Sequence, residues 1–271
     1  MSDHTSDFLK QYYDDKTDFI SLSWSPYFHY GIFDKNNLSL EQAQENTVNA
    51  IINQISIKSS DHVLDLGCSN GLTSMLVAKN TNAQLTGVDI SPAQVANAEE
   101  NIRNVDLGKK PLFIVADANK LPFPDESFDA IVSFEVFCHL IDLPTAIKEC
   151  ARVLKKNGRI AITDLIALGP RTKATELFYT FAKQSRPPLP IEEFSRLLAL
   201  YGFNDVLGQD LSSHFAQTYR MATQRLNANK NNIIDNYGYN AFAEVESFYQ
   251  TCLKKDFLKE IGWASFIAKK A

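Results

Sequence analysis

The stretch His62-Val63-Leu64-Asp65-Leu66-Gly67-Cys68-Ser69-Asn70-Gly71 decides the fold of this chain. Its first half is a short apolar segment that is typical of a buried strand, and its second half is a tight loop that holds two glycines. A helical pattern follows from Leu72 to Lys79. Strand, glycine-containing loop and helix in this order are typical of α/β proteins that bring the backbone close to a bound nucleotide. We therefore expect a nucleotide-like cofactor at this loop.

A second predicted strand, from Gln84 to Asp89, ends in a carboxylate 18 residues after Gly71. An acid at this place can accept hydrogen bonds from both hydroxyls of a ribose. The loop departs from the G-x-G-x-x-G pattern of NAD-binding proteins, because Asp65 stands two residues before Gly67. A carboxylate there suits a cationic ligand and repels a pyrophosphate, so an NAD-dependent dehydrogenase is the weaker alternative.

Several motifs, taken in order, resemble those of the class I S-adenosylmethionine-dependent methyltransferases over about residues 45 to 168. Asp65 to Gly71 is similar to the first motif of that family, D-x-G-x-G-x-G, with Ser69 in place of the middle glycine. The other matches are Val88-Asp89, Ala116-Asp117-Ala118, residues 121–132 and residues 154–160, the last of which resemble the turn before strand five. The resemblance implies S-adenosylmethionine as the methyl donor and S-adenosylhomocysteine as a product.

Strands and helices alternate between residues 61 and 165, which predicts an α/β fold: a Rossmann-like, mostly parallel seven-stranded sheet with helices on both faces, plus a helical cap. We expect an N-terminal helical and aromatic lid at 1–40, a cofactor-binding core at 41–168, and cap helices with the last two sheet strands at 169–271. The predicted strands are 62–66, 84–89, 111–116, 129–134, 159–165, 202–210 and 263–268. The predicted helices are 39–57, 71–79, 92–104, 144–154, 171–185, 191–201 and most of 212–256.

The resemblance assigns cofactor binding to residues at the ends of the predicted strands. Asp65 is expected to face the amino group of the methionine end, Asp89 the ribose and Asp117 the exocyclic amine of adenine. The two loop glycines are expected to let the backbone approach the ligand. The full cofactor set is Asp65, Gly67, Cys68, Gly71, Asp89, Ile90, Asp117, Ala118, Ser133 and Phe134.

Candidate catalytic groups follow the fourth core strand, at Glu135 and His139. They are four residues apart, so one helical turn would place both on the same face. A histidine with a nearby carboxylate can deprotonate a hydroxyl or an acidic carbon. The alternative is that His139 only packs near the site, without proton transfer.

The segment from Ser25 to Phe33 resembles the aromatic lid of methyltransferases that act on quinones, terpenoids, sterols, methylated glycines and sugar-bearing natural products. Such a lid can close over cofactor and substrate and exclude water. The alternative is that its aromatic residues anchor an N-terminal helix to the core. The residues expected to contact the substrate are His29, Tyr30, Tyr13 and Trp24.

Length, charge and cysteine content limit the functional classes. The chain has 271 residues, of which 45% are apolar, and a formal net charge of −5. It shows no basic stripe of the kind that binds phosphates, so we expect no nucleic acid partner. Its four cysteines form no C-x-x-C pair, which favours free buried thiols in a reducing cytoplasm. No signal-peptide pattern, no apolar run of about 18 residues and no metal-ligand spacing is visible. We expect a cytoplasmic monomer or homodimer without a metal.

The expected function is transfer of a methyl group from S-adenosylmethionine, by in-line displacement, to a small and largely apolar metabolite such as a terpenoid or a quinone-like natural product of secondary metabolism. The alternatives are an amine or amino-acid N-methyltransferase, a peptide or protein methyltransferase, and a non-catalytic S-adenosylmethionine-binding regulatory protein. The many aromatic residues of the predicted cap either line an apolar pocket, cage an amine or form the cap's own core.

Overall fold

Seven strands form one sheet in the part of the chain that this computed structural model describes, namely residues 18–170, 172, 175, 178 and 186–271. The strand order is β3-β2-β1-β4-β5-β7-β6, in which β1 to β5 are parallel and β7 runs antiparallel to both β5 and β6. The strands are β1 His62–Leu66, β2 Gln84–Asp89, β3 Leu112–Val115, β4 Phe128–Phe134, β5 Leu154–Ala167, β6 Phe203–Asp210 and β7 Ile261–Lys270.

Helices connect the strands and add the cap. They are α1 Leu40–Gln54, α2 Leu72–Thr81, α3 Pro92–Arg103, α4 Leu143–Val153, α5 Ile191–Leu200, α6 Ser212–Ala228, α7 Lys230–Tyr237 and α8 Tyr239–Cys252. Local sequence explains where the core helices begin. Ser39 caps α1 in a capping box with Gln42, and Ser91 and Asp142 cap α3 and α4, each with a proline in the first turn.

The predicted Rossmann-like sheet is confirmed, including the antiparallel pair at its edge. One boundary was wrong: β5 begins at Leu154, within the expected turn, because Leu154 pairs with Phe128 before the register shifts. Asn157 takes up the irregularity with a φ of 61°. The predicted helix at 171–185 and the candidate Tyr13 lie outside the described residues, apart from positions 172, 175 and 178. Among the described helices, none has the length and apolarity of a membrane span.

Side chains that alternate along the strands build two apolar layers, one on each face of the sheet. Leu64, Ile131 and Ile160 pack with α4 and α5, and their neighbours Val63 and Val132 pack with α1 and α2; all five are fully buried. Helices therefore cover both faces, as predicted.

A third apolar cluster joins the N-terminal segment to the cap. Phe19 and Tyr30 share it with Phe215 and Tyr219 of α6 and with Trp263 of β7. About half of the described cap aromatics are buried in this cluster and form a core: Phe178, Phe215, Tyr219, Phe242 and Tyr249. Tyr237 and Tyr239 are exposed, and Phe194 belongs to the apolar layer on one face of the sheet. Of the three interpretations of these aromatics, the one in which they form the cap's own core fits the buried members. The N-terminal segment and the cap pack as one unit over the carboxyl end of β5.

Candidate functional site

The loop after β1 is held in shape by its own backbone. The N–H groups of Gly67 and Cys68 both donate to the Val88 carbonyl, at 2.8 and 2.9 Å, and that of Gly71 donates to the Cys68 carbonyl at 3.0 Å. The Ser69 N–H donates to Oδ2 of Asp89 at 3.0 Å. These four donors are engaged within the protein, so they are not available to a ligand.

Gly67 and Gly71 meet a steric demand from the protein itself. Both have left-handed backbone, with φ values of 78° and 77°. A Cβ on Gly67 would lie 2.2 Å from Cγ2 of Val136, and a Cβ on Gly71 would lie 2.7 Å from Cβ of Ala98. The side of each glycine that a Cβ would occupy is thus filled by protein, and the fold requires these glycines with or without a ligand.

Asp65 is a buried acid at the end of β1. It is 1% exposed, and its Oδ2 accepts a hydrogen bond from the Ser74 hydroxyl at 2.5 Å. Burial raises the pKa of Asp65 from 3.8 to about 7; the Ser74 hydrogen bond opposes the rise and the neighbouring Asp89 adds to it. No described residue forms an ion pair with Asp65. A buried carboxylate beside a second acid fits the positively charged methionine end of S-adenosylmethionine.

Asp89 lies at the end of β2 and organises two turns. Its Oδ2 accepts from the Ser69 N–H, and its Oδ1 accepts from the Ser91 N–H at 2.9 Å. Ser69, which replaces the middle glycine of the motif, adopts a φ of 49° and donates its hydroxyl to Gln94 Oε1 at 3.1 Å. The serine is therefore accommodated in this loop, and two backbone hydrogen bonds orient the Asp89 carboxylate.

The remaining predicted cofactor residues fall into two groups. Ile90, the exposed Asp117, Ala118 and Phe134 lie at the carboxyl ends of their strands, where ligands of open α/β sheets bind. Asp117 uses Oδ1 to cap the Asn119 N–H, at 2.8 Å.

Cys68 and Ser133 point into the protein. The Cys68 thiol lies in a small core cluster with Val95 and Phe113, and the Ser133 hydroxyl donates to the Leu66 carbonyl at 3.1 Å. This geometry therefore does not support a contact between the Cys68 thiol and the cofactor. The sequence could not predict this, since a loop sequence does not reveal which side chains turn inward. All four cysteines are free and buried, as expected.

The prediction that one helical turn aligns Glu135 with His139 was wrong. Glu135 has a left-handed φ of 55°, and only a short 3-10 turn, Phe137–His139, follows it. Glu135 Oε1 instead accepts from Trp263 Nε1 at 2.7 Å. Burial raises the pKa of Glu135 well above its usual range, Asp164 adds to the rise, and hydrogen bonds from Thr163 and Trp263 offset part of it.

The N-terminal segment around His29 is fastened to α1. The buried Gln44 accepts from the Ser25 hydroxyl at 2.6 Å and donates its amide to the carbonyls of Tyr27 and His29 at 2.9 and 2.5 Å. One turn later, the Thr47 hydroxyl donates to the Tyr30 carbonyl at 2.9 Å. Residues 25–30, which are part of the expected lid, are thus attached to α1 by several hydrogen bonds, and we call them the wall.

Asn70 ties this wall to the cofactor loop. Its amide donates to the Pro26 carbonyl at 3.0 Å, and its own carbonyl accepts from Asn101 Nδ2 at the same distance. Sequence reasoning missed Asn70, Gln44 and the Trp263 partner of Glu135. For Gln44 a signal existed, because it shares the buried face of α1 with Leu40, Ala43 and Val48; a polar side chain on such a face needs partners.

We expect Gln44→Leu to destabilise the protein by about 3 kcal/mol, because it removes three buried hydrogen bonds and leaves the His29 carbonyl without its partner. Urea denaturation followed by circular dichroism measures the change. Gln54→Leu, at the exposed end of the same helix, is the matched control and is expected to shift stability by less than about 0.5 kcal/mol. Equal effects of the two substitutions would contradict a fastening role for Gln44.

Comparison with known proteins agrees with this geometry. Residues 64–162 match a methyltransferase domain family. The chain is 27% identical over 229 residues to a 27-O-demethylrifamycin SV methyltransferase of Amycolatopsis mediterranei, covering 83% of this chain and 84% of that one. It is also 27% identical over 225 residues to phosphoethanolamine N-methyltransferase 1 of Arabidopsis thaliana; the match covers 83% of this chain but only 45% of that enzyme.

A solved structure shares the fold. A phosphoethanolamine N-methyltransferase 2 of Haemonchus contortus, in complex with phosphomonomethylethanolamine and S-adenosylhomocysteine, superposes with a TM-score of 0.84 at 21% identity, over 98% of this chain and 60% of that one. The motif order, the sheet and these similarities agree that residues 64–162 are a methyltransferase domain of the class I S-adenosylmethionine-dependent type.

Proposed function

We propose that this protein transfers the methyl group of S-adenosylmethionine to a small, largely apolar metabolite. The observation that carries the proposal is the buried Asp65 next to the glycine loop, which has no described cationic partner and suits a positively charged ligand. The cofactor supplies an activated methyl group with a neutral thioether as its leaving group. The protein then has to bind the cofactor and the acceptor, align the acceptor with the methyl group, and exclude water from the site. Alignment alone can provide much of the acceleration.

The residues of this chain divide that work by position. Asp65 is proposed to hold the ammonium of the methionine end, and Asp89 the ribose hydroxyls. Asp117 and Ala118 are proposed to lie along the adenine. Phe134, at the end of β4, stands between this cofactor half of the sheet and the half formed by β5, β7 and the cap, where the acceptor is proposed to bind.

Two observations support an apolar acceptor. Most rings of the aromatic cluster on Leu165 of β5 form a core, but its partly buried members, among them Trp24, Phe33 and Phe248, leave apolar surface that an acceptor can contact. Relatives named for the methylation of natural products, such as the rifamycin methyltransferase, cover most of this chain. His139 and Glu135 remain proposed as groups that could take a proton from the acceptor, although the geometry separates their roles, because Glu135 is engaged with Trp263.

An amine acceptor is the second candidate, and a buried acid beside a half-buried one favours it. Glu135 and Asp164 lie at the carboxyl ends of β4 and β5, and Asp164 is 2% exposed. Burial raises the pKa of Asp164 to about 6, with Arg186 opposing the rise. Among the described residues, Glu135 and Asp164 thus have one cation, Arg186, nearby. An ammonium group on the acceptor would supply a second positive charge to balance the second acid.

The test is release of S-adenosylhomocysteine from S-adenosylmethionine in the presence of a pooled small-metabolite extract. Turnover that requires the extract and is lost in Asp65→Asn supports the proposal, and mass spectrometry of the methylated product then identifies the acceptor. Tight cofactor binding without turnover across many extracts would favour a binding protein. Failure to bind the cofactor at all would contradict the proposal as a whole.

A further inference from the structure

His29 is a buried histidine with one unused nitrogen. The residue is 2% exposed, and its Nδ1 donates to the Tyr30 carbonyl at 3.0 Å. This hydrogen bond fixes the neutral tautomer, so Nε2 carries a lone pair. Nε2 is buried and has no hydrogen-bond partner. Because Nδ1 faces the backbone of its own segment, Nε2 lies on the opposite side of the ring.

The ring lies at the junction of the two halves of the site. It packs on Phe134, with ring centroids 5.1 Å apart, at the end of β4. On one side, Pro26 is tied to Asn70 of the cofactor loop. On the other side, the Tyr30 ring packs on Trp263 of β7 at 5.7 Å. The wall therefore crosses from the cofactor half to the acceptor half, and His29 lies near the crossing.

A second buried polar atom without a hydrogen-bond partner, Nε1 of Trp24, lies next to the wall, and Trp24 packs on Tyr30. A buried acceptor without a donor destabilises a fold, and native proteins rarely retain one without a functional reason.

Nε2 of His29 is not protonated at neutral pH either. Burial lowers the pKa of His29 from 6.5 to about 4, which the Tyr30 hydrogen bond opposes only in part. At neutral pH the ring stays uncharged, so it serves as a hydrogen-bond acceptor and not as a cation for an anionic ligand. The group that suits Nε2 is therefore a neutral or cationic hydrogen-bond donor.

We propose that Nε2 of His29 accepts a hydrogen bond from the methyl acceptor, and that the acceptor therefore presents an O–H or N–H group at the junction. This inference rests on the proposed function and narrows it: the acceptor atom is oxygen or nitrogen, and an unsubstituted alkene or other hydrocarbon carbon is excluded. His29 is a specificity-determining residue, and its contribution lies in acceptor binding and orientation.

The chemical test compares one metabolite extract before and after exhaustive acetylation, which masks its hydroxyl and amine groups. With wild-type protein, S-adenosylhomocysteine release is expected from the untreated extract and at least tenfold less from the acetylated one. Adding untreated extract back to the acetylated sample is expected to restore turnover, which controls for inhibitors. Turnover that survives acetylation would overturn the proposal while leaving methyl transfer itself established.

The residue is tested with His29→Phe, which keeps an aromatic ring against Phe134, and His29→Gln, whose carbonyl oxygen can take the place of Nε2. With the acceptor found in the extract, we expect kcat/KM to fall on the order of 30-fold in the phenylalanine variant and to recover to within about fivefold in the glutamine variant. His62→Phe, at the opposite end of the sheet, is the matched control and is expected to keep wild-type kcat/KM.

Two measurements without acceptor complete the test. S-adenosylhomocysteine affinity in His29→Phe is expected to stay within twofold of wild type, since the substitution alters only the half of the site that is proposed to bind the acceptor. Its melting temperature is expected to be unchanged or higher, because the Tyr30 carbonyl keeps its bond from Thr47 and an unpaired nitrogen is removed. A fall of more than about 5 °C would show that His29 holds the fold, and that result would overturn the proposal even if no acceptor were found.

Discussion

Asp65→Asn is expected to weaken S-adenosylhomocysteine binding on the order of 100-fold while leaving the free protein folded. The asparagine keeps the shape of Asp65 and an oxygen for the Ser74 hydroxyl, but it removes the buried negative charge that is proposed to pair with the ligand ammonium. Breaking a buried charge pair by removal of one partner typically costs about 3 kcal/mol or more. Isothermal titration calorimetry measures the loss, and Asp106→Asn, in an exposed loop, controls for net charge.

Although Asp65→Asn is expected to weaken ligand binding, it is expected to maintain or raise the stability of the free protein. The pKa of Asp65 is raised from 3.8 to about 7 in the folded protein without ligand, so the fold favours the protonated acid. The stability that this preference provides is fully present below about pH 3.8 and is lost as the pH rises through about 7. At pH 8 the variant avoids the buried charge, and its melting temperature is expected to equal or exceed that of the wild type. A clear decrease would show that Asp65 supports the fold and would contradict our assignment.

Ligand affinity should depend on pH through this carboxyl group. Below about pH 7 the free protein holds a proton on Asp65 that the cationic ligand must displace, so the dissociation constant is expected to rise up to tenfold for each unit of decrease in pH. In Asp65→Asn this dependence should be much flatter. Calorimetry between pH 5.5 and 8.5, in buffers of different ionisation enthalpy, counts the proton released on binding, and release of none at pH 6 would contradict the linkage.

Gly67→Ala is expected to destabilise the protein by about 3 kcal/mol or more, equivalent to roughly 10 °C in melting temperature. The new Cβ would meet Cγ2 of Val136 at 2.2 Å in a backbone that already has a φ of 78°. Gly202→Ala is the control, because Gly202 has a φ of 102° but its nearest neighbour, Cβ of Ala151, is 3.8 Å away. It therefore isolates the backbone cost, which we expect to be about 1 kcal/mol.

The double variant Gly67→Ala/Val136→Ala separates two explanations of this glycine. Truncation of Val136 removes both γ-carbons from the region of contact, so we expect it to restore at least half of the lost stability. If Gly67→Ala instead folds with wild-type stability but loses cofactor affinity, the glycine is needed for approach of the ligand, as the sequence motif alone suggests, and our steric explanation is wrong.

The sequence predicted the sheet and the acids at the ends of its strands well, because both depend on local signals. Short apolar strands that end in Asp65 and Asp89 are visible as such, and the order of the motifs leaves one family that fits. The wall was harder to predict. Its contacts join residues far apart in the chain, such as Gln44 with Ser25 or Glu135 with Trp263, and no local periodicity reports such pairs.

Side-chain direction within loops was the other weak point. Cys68 and Ser69 are neighbours, yet one thiol enters the core while the other hydroxyl bonds to Gln94. Glu135 and His139 have a spacing that is typical of one helix face, but the backbone at Glu135 is left-handed. Spacing predicts direction only where the secondary structure is regular, and active-site loops are often irregular.

The fastening of residues 25–30 has a consequence for protein engineering. Substrate preference in enzymes is often changed by exchanging a substrate-covering segment between relatives. Here the segment that we expect to contact the substrate is held by Gln44 and Thr47 on one helix and by Asn70 in the loop after β1. A chimera that transplants residues 25–30 alone would bring a foreign backbone to these three side chains. The exchangeable module is therefore discontinuous, and it comprises the segment together with its three anchor residues.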